Sequence, residues 1–188
     1  MNILEKIKKE RLIAENILNG VYNQLHQRHI SSEHRKFLLL KVQAAIVQFE
    51  ICSGLLQLVM SQENCFARKV ILKGLIHIIF EYKKTLKNHH IKTLMDLCES
   101  KNFASEKEEL SRLTKEYKKA LKQIDRFLDL RDQSTGHYDP DTSKQVSLIE
   151  SIDENTDIAR QLESRLGEVT AALDRIEKGT YAICSTYG

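Results

Sequence analysis

An all-α fold, a single-domain helical bundle of about five to six helices, is what this sequence predicts, and three observations predict it. One Pro, seven Gly and no Trp in 188 residues is too little punctuation for the many turns of a β or α/β domain. Apolar residues recur at three- and four-residue spacing over long stretches, the helical period. Charged residues make up 29% and apolar residues 41%, enough to solvate helix surfaces and fill one core without metal or disulfide staples. The bundle is expected over residues 1–178, with 179–188 as a C-terminal tail apolar enough to dock.

The first helix is expected from residue 2 to about 28. Ile13, Ile17, Val21 and Leu25 form its stripe, and Lys6, Lys8, Lys9 and Arg11 belong mostly to a solvated face. Ser31-Ser32-Glu33 supplies cap chemistry for a second helix, about 32 to 61, apolar enough to be buried on more than one side. A third runs from about 67 to 88 around VILKGLIHIIF. Gly54 and Gly74 lie inside these two helices, where a Gly costs about 1 kcal/mol relative to Ala, so each predicts a close helix–helix approach. Asn88-His89-His90 reads as a break or kink before a shorter segment, 91–100. Ser105 with Glu108 forms an S-x-x-E capping box for a fourth long helix. Its seam is Leu110, Leu113, Tyr117, Ala120, Ile124 and Phe127, and the next seam position is Arg131. Asp139-Pro140 reads as cap and first position of a short helix carrying Val146 and Ile149. Ser151 and Glu154 cap a last helix, to about Lys178, with Ile158, Leu162, Leu166, Val169, Leu173 and Ile176 as its stripe. EYKKTLK (81–87) and EYKKALK (116–122) repeat by coincidence, because their flanks do not match.

The net charge of +3 permits contact with nucleic acid without demanding it. The four cysteines, Cys52, Cys65, Cys98 and Cys184, lack zinc-ligand spacing, and Cys52 reads as a small core residue. The basic N-terminus has no uninterrupted apolar stretch. Residues 37–60 are broken by Lys41, Gln43, Gln48, Glu50 and Gln57, against a membrane span. A cytoplasmic protein with reduced thiols and no membrane contact is expected.

Among sites, no His has a Glu three residues before it, so the di-iron E-x-x-H pattern is absent. His26 and His29 form an H-x-x-H with no third ligand in register, which is equally an exposed helix end. The rings of His89 and His90 cannot share a helix face. His77, in an apolar run, reads as a hydrogen-bonded core residue. No Gly-rich phosphate loop and no nucleophile elbow is present. No metal or cofactor is expected.

LRDQSTGHYDP (130–140) carries the clearest chemistry. Arg131 stands where Leu, Tyr, Ile and Phe precede it in the seam, so it points to the packed side and needs an anion there. His137 follows within reach of one cleft, and a neutral imidazole is the natural general base. A phosphate held by Arg131 and a proton taken by His137 suffice for metal-free RNA cleavage.

Arg131-Asp132, four further residues and His137 resemble the R-x(4–6)-H motif of the HEPN superfamily of small all-α bundles. The resemblance covers about ten residues and the general architecture. It implies a metal-independent endoribonuclease of a toxin–antitoxin, phage-defence or RNA-processing system, acting as a homodimer. It also implies RNA or another nucleic acid as ligand and a cognate antitoxin or regulatory protein as partner. Arg131, His137 and Asp132 would be catalytic, Asp132 by tuning or positioning the other two, and Tyr138 beside them would contact the nucleic acid. Lys118, Lys119 and Lys122 would hold the backbone. Arg28-His29, four residues and His34 match the pattern a second time, outside any apolar seam. The other reading of the first match is structural: Arg131 ends a helix, where a cation is favourable, and binds a carboxylate. The chain is then a non-catalytic helical protein that binds a partner or nucleic acid.

Overall fold

The computed structural model describes residues 2–27, 29–62, 65–122, 125, 128 and 142–152. Its helices are α1 (Ile3–Leu25), α2 (Ser32–Met60), α3 (Phe66–Thr85), a π turn (Leu86–His90), α4 (Ile91–Ser100), α5 (Ala104–Leu121) and α6 (Thr142–Glu150), with no strand among the described residues. The all-helical bundle expected from composition is therefore observed. The expected last helix, 151–178, and the tail lie outside the described residues, apart from Ser151 and Ile152.

Helix α1 opens at Asn2, whose Oδ1 accepts from the Leu4 N–H at 3.2 Å, while the Asn2 N–H donates to Glu5 Oε2 at 3.3 Å. This reciprocal box satisfies two of the donors left over at a helix start. Its buried stripe is Ile7, Ala14 and Val21, with Leu4, Arg11, Leu18 and Leu25 half-buried between them. The expected stripe is corrected here, since Ile13 is 45% exposed. Each four-residue step overshoots a full turn by about 40°, so three in a row leave the face. Alternating steps of three and four drift only about 20° per seven residues. Arg11 accordingly sits in the seam, its guanidinium 5.1 Å from the centroid of the Phe49 ring and 3.2 Å from Glu15.

Helix α2 starts at Ser31, whose Oγ accepts from the His34 N–H at 3.2 Å. It buries two faces, as its composition predicted. Leu38, Ala45 and Cys52, spaced by seven, are buried outside the main core, on the side of α2 that carries Phe49, over which Arg11 of α1 lies. Phe37, Ala44, Ile51, Leu55 and Leu58 join the main core with Leu72, Leu75, Ile76 and Ile79 of α3. By length and composition alone α2 is a helix that could cross a membrane. At Gly54 the two central helices approach closely: a Cβ there would lie 2.5 Å from Leu75 Cδ2. Gly74 departs from expectation, because a Cβ there would meet nothing within 4 Å.

The expected break at 88–90 is a π turn within a continuous helical run. Leu86, His90, Leu94 and Cys98 are all buried, four residues apart. A regular α-helix would carry such a series progressively off its face, and the wider π turn absorbs the excess residue. Helix α4 then stops at Asn102, in the left-handed region at φ 62°. The Phe103 N–H donates to Cys98 O at 2.9 Å and the Asn102 N–H to Glu99 O at 3.2 Å, a Schellman stop with Phe103 and Cys98 buried as its apolar pair. The chain enters α5 directly from this turn, and the Lys107 N–H bonds Phe103 O at 3.1 Å. Ser105 is therefore inside the helix, its hydroxyl donating to Glu106 Oε2 at 2.7 Å, and the expected Ser105/Glu108 capping box does not form. Leu110 and Leu113 are buried as the seam required. Helix α6 rests on α3, where Lys69 Nζ donates to the Glu150 carbonyl at 2.6 Å. Its Ile149 and the following Ile152 enter the core.

Candidate functional site

The sequence-derived site divides into residues the structure places and residues it does not describe. Lys118 and Lys119 lie on the last turn of α5 and Lys122 directly follows it, all exposed. Arg131, Asp132, His137 and Tyr138 lie outside the described residues. Arg28 of the second motif match does too, while His34 is half-buried in the first turn of α2.

Helix α5 is electrostatically divided along its length. Toward its middle, ion pairs hold Lys107, Glu109, Arg112 and Glu116. Arg112 reaches Glu109 through Nε and Nη2, both at 2.8 Å, and Glu116 through Nη1 at 2.6 Å, a fork geometry that holds the guanidinium pKa above its ordinary value. Lys107 pairs with Glu99 of α4. From the second half of α5 to the residue just past its end, Lys115, Lys118, Lys119 and Lys122 are exposed and form no ion pair among the described residues. From the first to the last the axial rise is about 10 Å, a cationic row able to track a phosphate backbone. Lys115 was not singled out from the sequence, though its spacing from Lys118 and Lys122 was there to be read. Beyond the row, Lys83 of α3 pairs with Asp125.

The other histidine candidates resolve into ordinary positions, with one exception. His26 ends α1 with Nδ1 2.9 Å from the Tyr22 carbonyl and its ring 4.4 Å from that of Tyr22, an exposed helix end. His77 is half-buried, and its Nδ1 finds no partner among the described residues, which departs from the hydrogen-bonded core residue expected. His89 and His90 point differently, as adjacent residues must. His89 is exposed, whereas His90 is 2% exposed and donates from Nε2 to Gln43 Oε1 of α2 at 2.7 Å. Burial, reinforced by His89, pushes the His90 pKa down to about 4, so the ring is neutral near pH 7. The Tyr82 ring stands edge-on at 6.0 Å, its buried hydroxyl held well above the ordinary phenol range by desolvation. This polar contact at the edge of the core was not legible in the sequence, because Gln43 and His90 are far apart in the chain.

No protein-family model, no curated protein and no solved structure matches this chain.

Proposed function

We propose that the protein is a HEPN-like, metal-independent endoribonuclease acting as a homodimer. The observation that carries this reading is the exposed row of Lys118, Lys119 and Lys122, without ion-pair partners among the described residues, at the end of the helix whose sequence leads to Arg131. The all-helical architecture accords with it. In this reading the lysine row holds the strand by its phosphates. Arg131 binds the scissile phosphate, and Asp132 and Tyr138 flank the reacting groups. His137 takes the proton of the ribose 2′-hydroxyl as that oxygen attacks phosphorus. The P–O bond to the 5′-oxygen breaks, and a proton returns to the leaving oxygen. The products are a 2′,3′-cyclic phosphate and a 5′-hydroxyl, with the developing charge stabilised by the guanidinium.

The salt dependence of binding tests the lysine row. A single-stranded oligonucleotide with a 2′-deoxy linkage, which cannot react, should bind with an affinity that falls steeply as salt rises. Replacing Lys118, Lys119 and Lys122 together with Ala should reduce the slope by about 0.7 for each phosphate no longer neutralised. Equal slopes for wild type and the triple variant would leave the lysines as solvated charges at a helix C-terminus, where the helix dipole already favours them. Salt-dependent binding of this probe by a protein that leaves the matching all-ribose oligonucleotide uncut would favour the non-catalytic reading instead.

A further inference from the structure

The outer face of α2 is more apolar than solvent exposure calls for. Only 39% of its most apolar 18-residue stretch is buried, and Leu39 and Ile46 are 49% and 40% exposed. They are seven residues apart and so share one stripe, with Val42 half-buried between them. Arg35 and Glu50 stand one turn beyond each end of this stripe. Both are exposed, and neither forms an ion pair among the described residues.

These positions have a symmetry. Leu39 and Ile46 are equidistant from the point between Val42 and Gln43, each about 5 Å along the helix axis from it. Arg35 and Glu50 are equidistant from the same point, each about 11 Å from it. A two-fold axis through that point lays α2 antiparallel on a second α2. Leu39 then meets Ile46 of the other copy, and Arg35 meets Glu50 of the other copy, each pair formed twice. An isologous contact requires this self-complementarity. Gln43, held through its Oε1 by His90, stands beside the axis with its amide N–H donors available, the kind of fixed polar group that sets register between paired helices.

We infer that the outer face of α2 binds a second copy of this chain, antiparallel, about an axis passing between Val42 and Gln43. This contact names the face by which the homodimer of the proposed function forms, and to that extent it rests on that reading. A dimer indifferent to the α2 variants fails this inference alone, and a dimer that leaves RNA uncut fails the nuclease reading alone.

Sedimentation equilibrium of the full chain at micromolar concentrations is the experiment. Wild type should give twice the 21.8 kDa mass of one chain. Leu39→Glu and Ile46→Glu, at positions too exposed to unfold the monomer, should weaken the dimer at least tenfold while leaving the helical circular dichroism unchanged. Arg35→Glu and Glu50→Arg should each weaken it, and the two combined should restore it, because the swap regenerates both pairs. A wild type that stays monomeric overturns the inference and assigns the face to a different protein or to a lipid surface. A dimer indifferent to Leu39→Glu and Ile46→Glu also overturns it, since association then uses another face. So does a charge-reversal double variant no tighter than its parents.

Discussion

The two sides of α2 are built from the same kinds of residue and are used differently. Toward α3, Ile51, Leu55 and Leu58 are almost completely buried, and Gly54 lets the backbones close until Leu75 fills the space a Cβ would need. Away from the core, Leu39 and Ile46 are left about half exposed. Apolar character along a helix therefore states how much surface needs covering, and only packing shows which part the chain covers itself.

Breaking the inner side should have the largest effect. Leu58→Ala, at a fully buried position, should destabilise the fold by about 2–5 kcal/mol. Leu39→Ala, measured at concentrations where the chain is monomeric, should change stability by no more than about 0.5 kcal/mol. Urea denaturation of the two variants gives both values, and comparable losses would erase the contrast between the faces.

The buried imidazole at the edge of α2 should come next. The folded-state pKa of His90, about 4, lies below the unfolded value of about 6.5, so the unfolded chain binds the additional proton between them. Stability should be intact above about pH 6.5 and decline as the pH falls toward 4, by up to about 3 kcal/mol. His90→Gln should flatten that decline relative to wild type in denaturation curves taken at a series of pH values. Parallel curves for the two proteins would show that His90 does not carry it.

The two glycines sharpen the same comparison. Gly54→Ala should cost about 1–2 kcal/mol, because overpacking against Leu75 outweighs the helix propensity of Ala. Gly74→Ala, in open space, should stabilise by about 0.5–1 kcal/mol. Opposite signs in thermal melts support the packing described, and equal signs contradict it. The smallest of these effects is expected at the stop of α4. Asn102→Gly should gain a few tenths of a kcal/mol by easing the left-handed φ, and Asn102→Ala should lose about 1 kcal/mol.

The helices were legible in the sequence where a cap held, as at Ser31, or where the period held, as along Leu110 and Leu113. They misled where a local signal competed with a neighbour. Ser105 and Glu108 have capping-box spacing, yet the Schellman turn at Asn102 delivers the chain into helix before Ser105. The two glycines look alike in sequence, and only the position of α3 distinguishes the one that is packed against it. The π turn was foreshadowed by Asn88-His89-His90, but a break and a widened turn leave the same local trace. For the candidate site, the lysine row was readable as spacing on a helix. The contact of His90 with Gln43 depends on how two helices pack and left no signal in either segment. Arg131, Asp132, His137 and Tyr138 rest on the sequence alone.

Cleavage of a mixed RNA pool in EDTA by wild type, Arg131→Ala and His137→Ala is the most direct test of the proposed activity. Wild type should cut and leave 2′,3′-cyclic phosphate ends, and each variant should lose about 10²–10⁴-fold in rate with its fold intact. No cleavage by wild type, or equal cleavage by all three proteins, would contradict the account.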